Sequence, residues 1–269
     1  EGDPVTEFLQ MIILAVVQGL TEFLPVSSSG HLVLTQHFLG ARQGDVFFDI
    51  VLHVGTLGSV LVVYRKEISR LLRCDRPALM YILSLAVGTV PAVLVGLLAK
   101  DAIEALFHSP FFAAGGLLAT ALVLFSTRLS RDNDLRLPEP WEPRPVPARK
   151  ALLIGVAQAF AIMPGISRSG STIAASLWAG LPRAEAARFS FLLSIPAIGG
   201  ALVLQLLGGE AQGRSDLPLL IAAAVAAFAV GLVAIRLTAL AVVQSHFWKF
   251  GFYCVVAGLA AFLIIGLGG

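Results

Sequence analysis

The chain has 269 residues, of which 57% are hydrophobic and 13% are charged, and its formal net charge is +2. Soluble domains carry roughly 25% charged residues, so this composition excludes an ordinary soluble protein and predicts an integral membrane protein. The sequence has neither the alternating ten-residue segments of a membrane barrel nor a basic stripe with interleaved aromatic residues, so we expect an all-α fold and no nucleic-acid partner.

The first predicted element, residues 7–40, is interrupted near its middle by Pro25 and by the run Ser27-Ser28-Ser29-Gly30. Non-helical backbone at membrane depth is tolerated only where it is buried in protein or lines a wet cavity. We therefore predict two half-helices that form a re-entrant hairpin, with a helix merely kinked at Pro25 as the alternative. Three apolar runs follow, each near the ~20 residues that cross a bilayer as helix: 47–64, 79–99 and 111–127.

A proline-rich stretch, residues 131–149, separates this first half (1–130) from a second half (150–269) of similar layout. We expect the stretch to be an extended cytoplasmic connector. The second half opens with an interrupted element, 150–181, broken at 164–170. Three apolar runs follow it, at 187–207, 217–237 and 250–268. A hairpin enters and leaves on the same face of the membrane, so each half crosses the membrane three times. Because three is an odd number, the second half must be inserted upside down relative to the first, as in the inverted repeats of several transporters.

The two interrupted elements share a motif at an offset of 140 residues. Gln18, Ser27, Ser29 and Gly30 correspond in order to Gln158, Ser167, Ser169 and Gly170, while Arg168 stands where the first motif has Ser28. The match supports the repeat, with chance similarity of apolar sequence as the alternative. It also places ionisable groups in a hydrophobic chain, where such groups indicate a functional site.

Basic residues are concentrated in two loops. Residues 65–77 and 128–150 carry eleven lysines and arginines, whereas the loops 100–110 and 208–216 carry one each. The basic loops are therefore predicted to be cytoplasmic. The mouth of the first hairpin then faces outward, and the second hairpin enters from the cytoplasm.

The serine-rich breaks are candidate anion sites, because each precedes a half-helix whose first backbone N–H groups are free to bind phosphate. The candidate phosphate ligands are Ser27, Ser29, Ser167, Ser169, Gly170, Thr172 and the guanidinium of Arg168, which can hold two phosphate oxygens at once. A polar N-cap explains any single serine equally well. It does not explain Arg168, whose charge opposes the helix dipole unless an anion is bound.

Glu22 follows Gln18 by four residues, so one helical face carries both side chains toward the first break. A carboxylate and an amide oxygen, completed by substrate phosphate, suit Mg²⁺ or Ca²⁺. The alternative is a buried Glu22 that is protonated or paired with Arg168.

His31 follows Ser28 by three residues, which places the imidazole and the hydroxyl on one side of a helical turn. His31 could activate Ser28 as a nucleophile or protonate a leaving group, with a structural histidine as the alternative. Asp49 and His53 lie one turn apart in the next helix. They could support the site or line its cavity, and a purely structural role is equally open.

Three motifs resemble those of the bacterial undecaprenyl pyrophosphate phosphatases, also described as bacitracin-resistance proteins: Gln18-x-x-x-Glu22, Leu24-Pro-Val-Ser-Ser-Ser-Gly-His31 and Pro164-Gly-Ile-Ser-Arg-Ser-Gly-Ser-Thr172. The resemblance covers essentially the whole chain and departs at Gln18, where some members carry glutamate. It implies hydrolysis of a polyprenyl diphosphate to the monophosphate and inorganic phosphate, which recycles the lipid carrier of peptidoglycan synthesis. It also implies a divalent cation and a site open to the periplasmic side of the bacterial inner membrane.

On this resemblance we expect Arg168 and the half-helix N-termini to hold the diphosphate while a cation on Glu22 offsets its charge. Ser28 would attack the terminal phosphorus with His31 as base and acid, and direct attack by metal-bound water is the alternative. The competing function is a secondary transporter or lipid flippase, because inverted repeats with broken helices serve alternating access. A transporter needs no nucleophile beside a base, so the site favours an enzyme. The sequence leaves a homo-oligomer open.

Overall fold

The computed structural model describes residues 4–40, 46–130, 141–207 and 217–268. Helices account for most of these residues, and no strand occurs among them. In chain order the helices are α1 (Pro4–Thr21), α2 (Ser28–Leu39), α3 (Val46–Val63), α4 (Arg65–Leu71), α5 (Arg76–Leu98), α6 (Lys100–Phe107), α7 (Pro110–Ser126), α8 (Ala148–Phe160), α9 (Arg168–Trp178), α10 (Arg183–Leu207), α11 (Leu217–Val243) and α12 (Phe250–Gly268). The predicted all-α fold is confirmed.

The long helices coincide with the apolar runs predicted as spans. Within the described ranges, five segments are long and apolar enough to cross a membrane: Arg76–Leu98, Pro110–Leu129, Arg183–Gln205, Leu217–Val243 and Phe247–Leu267. α3 and α4 meet the same criterion as a pair, although the chain bends by 74° between them. Exposed apolar side chains such as Leu98 and Leu263 cover the outer faces of the spans, as a hydrocarbon environment requires. The chain is a multi-pass membrane protein.

Two short helices lie where the sequence predicts only loops. α4 has seven residues within the loop 65–77, and α6 has eight within the loop 100–110. Hydropathy does not identify them, because helices this short and this charged cannot span a bilayer. Of the predicted connector, residues 131–140 lie outside the described part of the chain, as does the loop 208–216, while residues 141–147 have no regular secondary structure.

The two interrupted elements are the pairs α1–α2 and α8–α9, each with an irregular break between its half-helices. The half-helices of each pair contact one another. Each first half-helix also packs against the opposite half of the chain, α1 against α11 and α8 against α5. The predicted breaks are present at both positions, and we call each pair a hairpin because its half-helices pack together. The re-entrant course of each pair through the membrane and the opposite insertion of the two halves stay predictions.

Glycines bring these helices into close contact. A Cβ atom on Gly19 of α1 would lie 2.6 Å from the backbone oxygen of Ala227 in α11. A Cβ atom on Gly155 of α8 would lie 2.5 Å from the backbone oxygen of Gly88 in α5. Neither position has room for a side chain, and small residues are the usual means of close helix packing in membranes. Both hairpins are therefore held by backbone contacts with spans of the opposite half.

Replacing Gly155 with valine is expected to destabilise the protein by about 1–3 kcal/mol, because the new side chain would collide with the backbone of Gly88. Thermal unfolding of the purified variant in detergent measures the effect. Gly96→Val in α5 is the matched control, since nothing lies within 4 Å of a Cβ atom built at Gly96. Equal unfolding temperatures for the two variants would contradict the close contact at Gly155.

Two threonines of the long helices secure the irregular breaks. Thr238 of α11 donates a hydrogen bond to the carbonyl oxygen of Phe23 at 3.0 Å. Thr120 of α7 donates to the carbonyl oxygen of Gly165 at 2.8 Å and accepts one from the amide of Ser167 at 2.9 Å. Backbone groups freed at membrane depth need such partners. These bonds hold the two breaks in defined positions inside the protein.

Candidate active site

The two half-helices that follow the breaks begin in the same way. Ser27 is the N-cap of α2, and its side chain accepts a hydrogen bond from the amide of Gly30 at 3.2 Å. Ser167 is the N-cap of α9 and accepts one from the amide of Gly170 at 3.0 Å. Each cap hydroxyl also lies 3.2 Å from the hydroxyl two residues later, that of Ser29 or Ser169. The capping role offered as the alternative for a single serine is thus the observed role of Ser27 and Ser167.

The tips of the two hairpins meet. A Cβ atom on Gly30 would lie 2.8 Å from the Cα of Gly165, so the backbones touch at this point. Ser169 Oγ donates a hydrogen bond to the carbonyl oxygen of Leu24 across the contact, at 3.2 Å. The starts of α2 and α9 are therefore brought side by side.

Glu22, in the first break, is the centre of the site. Its Oε1 lies 2.6 Å from Nη2 of Arg168 on the second hairpin. Its Oε2 accepts hydrogen bonds from the hydroxyl of Ser28 at 2.5 Å and from Nε2 of Gln18 at 3.2 Å. The carboxylate is buried, with 7% of the residue exposed, so its charge is compensated mainly by Arg168. The pairing of Glu22 with Arg168, which the sequence offers as an alternative to metal binding, is observed.

His53 and Asp49 of α3 complete one side of the site. Nε2 of His53 lies 3.9 Å from Oε2 of Glu22. Nδ1 of His53 donates to the carbonyl oxygen of Asp49 at 2.7 Å, and the Asp49 carboxylate accepts from Nε2 of Gln36 at 3.2 Å. His53 therefore lines the site, and Asp49 helps to orient it through the backbone.

His31 does not pair with Ser28, and this corrects the expected contact between imidazole and hydroxyl. Nδ1 of His31 donates to the carbonyl oxygen of Ser27 at 2.8 Å, and Nε2 lies 2.8 Å from the hydroxyl of Tyr253 in α12. The Ser28 hydroxyl instead donates to Glu22. A carboxylate is a stronger hydrogen-bond acceptor than a neutral imidazole. Glu22 lies on the other side of the break from Ser28, so residue spacing within α2 does not reveal this carboxylate.

Thr172, another predicted phosphate ligand, is hydrogen-bonded to other residues of the chain. The hydroxyl of Thr172 donates to the carbonyl oxygen of Arg168 at 2.8 Å and lies 2.6 Å from the hydroxyl of Ser190 in α10. Thr172 is fully buried there, so it joins α9 to α10 rather than binding phosphate, a correction to the prediction. Gln158, the counterpart of Gln18, donates to the carbonyl oxygen of Gly88 at 3.3 Å and takes no part in the site.

Two buried polar atoms of this site have no hydrogen-bond partner among the described residues: Nη1 of Arg168 and Oε1 of Gln18. An unpaired buried polar group costs about 1–3 kcal/mol, and native proteins contain few of them. One atom is a donor and the other an acceptor. An anion and a cation bound together would satisfy both.

The donor set fits a divalent cation only with help from a substrate. The described residues contain no group of three or more His, Cys, Asp and Glu side chains that could hold a metal ion. Glu22 and Oε1 of Gln18 supply oxygen ligands, the kind that Mg²⁺ and Ca²⁺ prefer. Mg²⁺ is commonly held by one or two carboxylates plus substrate phosphates, which matches this incomplete set.

These observations define the class of protein: a multi-pass membrane protein in which two broken helices bring a hydroxyl, a carboxylate and a guanidinium into contact. Residues 11–260 match the family model described as bacitracin resistance protein BacA. The chain belongs to this family, as the sequence motifs indicate.

Individual relatives agree with the family match. A protein of Korarchaeum cryptofilum named undecaprenyl-diphosphatase is 38% identical over 271 residues, covering 94% of this chain and 98% of the relative. Proteins of the same name from Rhodopirellula baltica and Syntrophotalea carbinolica are each 41% identical, covering 96% of this chain and 98% of each relative. The similarity therefore extends over both halves of the chain.

Proposed function

We propose that this protein is an undecaprenyl-diphosphate phosphatase, which releases inorganic phosphate and leaves the lipid monophosphate. This reaction recycles the carrier lipid of cell-wall synthesis and accounts for resistance to bacitracin. The family and the names of the relatives favour it over a transporter or flippase. The structural observation that supports it most is the Ser28 hydroxyl, which lies 2.5 Å from a carboxylate held by Arg168.

Arg168 is the residue we expect to bind the diphosphate. Its Nη2 is held by Glu22, while its buried Nη1 has no partner among the described residues and is available to a phosphate oxygen. The amides of the first two residues of α2 and α9 add donors beside it, since a helix leaves its first N–H groups without intrahelical partners. The amides of the third residues, Gly30 and Gly170, are already bonded to the capping serines. Two helix starts placed side by side suit the two phosphates of the substrate.

Glu22 is the base that we assign to the first chemical step. As the Ser28 oxygen bonds to the terminal phosphorus, its proton passes to Oε2 of Glu22 and the bond from that phosphorus to the bridging oxygen breaks. The lipid monophosphate leaves with the bridging oxygen. Water then attacks the phosphorus of the phosphoserine, and the bond from that phosphorus to the Ser28 oxygen breaks as Glu22 returns its proton to that oxygen. His31, less than one turn beyond Ser28 in α2, is the residue assigned to take the proton of the water.

The divalent cation is part of the proposal. Gln18 Oε1 and the Glu22 carboxylate are the oxygens that would hold it. When bound, the cation would offset the negative charge of the diphosphate.

Phosphate release from undecaprenyl diphosphate by the purified protein in detergent tests this function. We expect release that EDTA abolishes and that Mg²⁺ or Ca²⁺ restores, because the protein ligands alone are too few to complete a cation site. Absence of release from well-folded protein with either cation would overturn the proposed function. Release that persists in EDTA would show that the proposed reaction needs no divalent cation.

The proposed function places the protein in the bacterial inner membrane, and the distribution of basic loops supports a site that faces the periplasm. Cys74 tests this orientation, because it is exposed in the basic loop 65–77, whereas the only other cysteine, Cys254, is buried. We expect a membrane-impermeant maleimide to label Cys74 in inverted vesicles and not in intact spheroplasts. Cys74→Ser is the control that identifies the labelled residue. Labelling in intact spheroplasts would place the basic loops outside and reverse the proposed orientation.

A further inference from the structure

Tyr253 brings a phenol to the site from the opposite end of the chain. Its hydroxyl lies 2.8 Å from Nε2 of His31, and the two rings are stacked, with centroids 5.6 Å apart and planes within 12°. Tyr253 belongs to α12, an apolar helix otherwise directed to packing against α7 and to the membrane. The proposed reaction does not use it.

The hydrogen-bond partner of Nδ1 determines whether Nε2, the nitrogen that faces Tyr253, carries a proton. Nδ1 of His31 lies 2.8 Å from the carbonyl oxygen of Ser27, a group that only accepts hydrogen bonds. Nδ1 therefore carries a proton, and in the neutral ring the lone pair is on Nε2. The Tyr253 hydroxyl donates to that lone pair. Once Nε2 is protonated, the same hydroxyl can rotate and accept from it.

Ser27 lies on one side of the His31 imidazole and α12 lies on the other. Ser27 caps α2 with a φ of 68°, an uncommon conformation for a residue other than glycine, and its carbonyl is thereby aimed at His31. On the other side, α12 packs along α7, whose Thr120 holds the second break. The ring of His31 is thus held at both nitrogens.

We propose that Tyr253 positions His31 and passes it the proton: its ring and hydroxyl keep Nε2 in place, and the hydroxyl gives its proton to Nε2 as it takes one from the attacking water. The proposal rests on the proposed function, since it concerns the step in which His31 takes a proton from water. The proposal gives α12, through Tyr253, a role in catalysis as well as in packing.

Kinetics of Tyr253→Phe test the proposal, because phenylalanine keeps the ring and removes only the hydroxyl. We expect kcat for phosphate release to fall about tenfold with KM within about twofold of wild type, the effect of losing one hydrogen bond that matters in the transition state. Tyr64→Phe is the matched control: Tyr64 is buried at the end of α3, outside the site, and should retain wild-type kcat.

A double variant distinguishes positioning of His31 from an independent role. In a His31→Asn background, Tyr253→Phe should cause no further loss of the remaining activity, because the group it positions is gone. Losses that multiply would overturn the proposal, as would an unchanged kcat in Tyr253→Phe alone.

Nitrogen-15 spectra of histidine-labelled protein in lipid supply a readout independent of turnover. The Nε2 signal of His31, assigned by its absence in His31→Asn, should shift in Tyr253→Phe and stay in place in Tyr64→Phe. An unshifted signal would overturn the proposal even in an active enzyme. Failure of the proposed function would be read separately, from wild-type protein that releases no phosphate.

Discussion

Arg168→Lys is expected to lower kcat for phosphate release by about a hundredfold or more, the usual cost of removing one preorganised donor from a developing anion. Lysine keeps a positive charge near Glu22. A single ammonium cannot, however, both hold the Glu22 carboxylate as Nη2 does at 2.6 Å and present a second nitrogen to phosphate. Steady-state phosphate release at saturating substrate measures the effect.

Arg70→Lys is the matched control for this prediction. Arg70 likewise pairs with carboxylates, lying 2.8 Å from Asp75 and 2.6 Å from Glu142, but these residues belong to the two basic loops rather than the site. Its kcat should stay within about twofold of wild type, since exposed ion pairs contribute little. Wild-type kcat in Arg168→Lys would leave the ion pair with Glu22 as the only role of Arg168. Arg168→Ala is a poorer probe, because it would leave the buried Glu22 carboxylate unpaired and destabilise the fold by about 3–5 kcal/mol.

The site depends on both hairpins at once. Glu22 and Ser28 belong to the first hairpin, Arg168 belongs to the second, and the three meet only because Gly30 and Gly165 allow the tips to touch. Neither half of the chain alone has both Ser28 and Arg168. Glu22 corresponds to Ile162 in the second motif, and Arg168 corresponds to Ser28 in the first. These two differences make the pair of hairpins chemically complementary, because they give one hairpin a carboxylate and the other a guanidinium.

Much of this frame is predictable from the sequence, for physical reasons. Pro25 and the glycines around Ser167 and Arg168 interrupt apolar runs that would otherwise be simple spans, so the breaks are visible without a structure. The cost of burying Glu22 and Arg168 in a hydrophobic chain indicates a site, and their opposite charges indicate that they meet.

The contacts that the sequence does not reveal are those made across large separations. Tyr253 lies 222 residues from His31, and one tyrosine in an apolar span gives no sign of its partner. Thr172 shares the serine-rich motif but is turned toward Ser190, because a half-helix has a buried face as well as a face toward the site. Spacing assigns residues to a helix face, and packing decides what that face meets.

Ser28→Ala is expected to reduce phosphate release by about 10⁴-fold or more if Ser28 is the nucleophile, the scale of loss seen when an enzyme nucleophile is removed. Ser28 is partly buried at the start of α2, and its hydroxyl already donates to Oε2 of Glu22 at 2.5 Å. Rapid quench with substrate labelled in its terminal phosphate measures the covalent route directly, since the label should appear on a peptide that contains Ser28.

Ser176→Ala is the matched control, because Ser176 lies in α9, is fully buried, and donates its hydroxyl to the carbonyl oxygen of Thr172 at 2.7 Å. We expect it to keep wild-type kcat. Residual turnover of a few per cent in Ser28→Ala, with no labelled peptide from wild type, would contradict covalent catalysis. The Ser28 hydroxyl would then serve to orient substrate, and Glu22 would act on water instead. The hydrogen bond between Ser28 and Glu22 fits either chemistry, so the labelled peptide is the observation that decides between them.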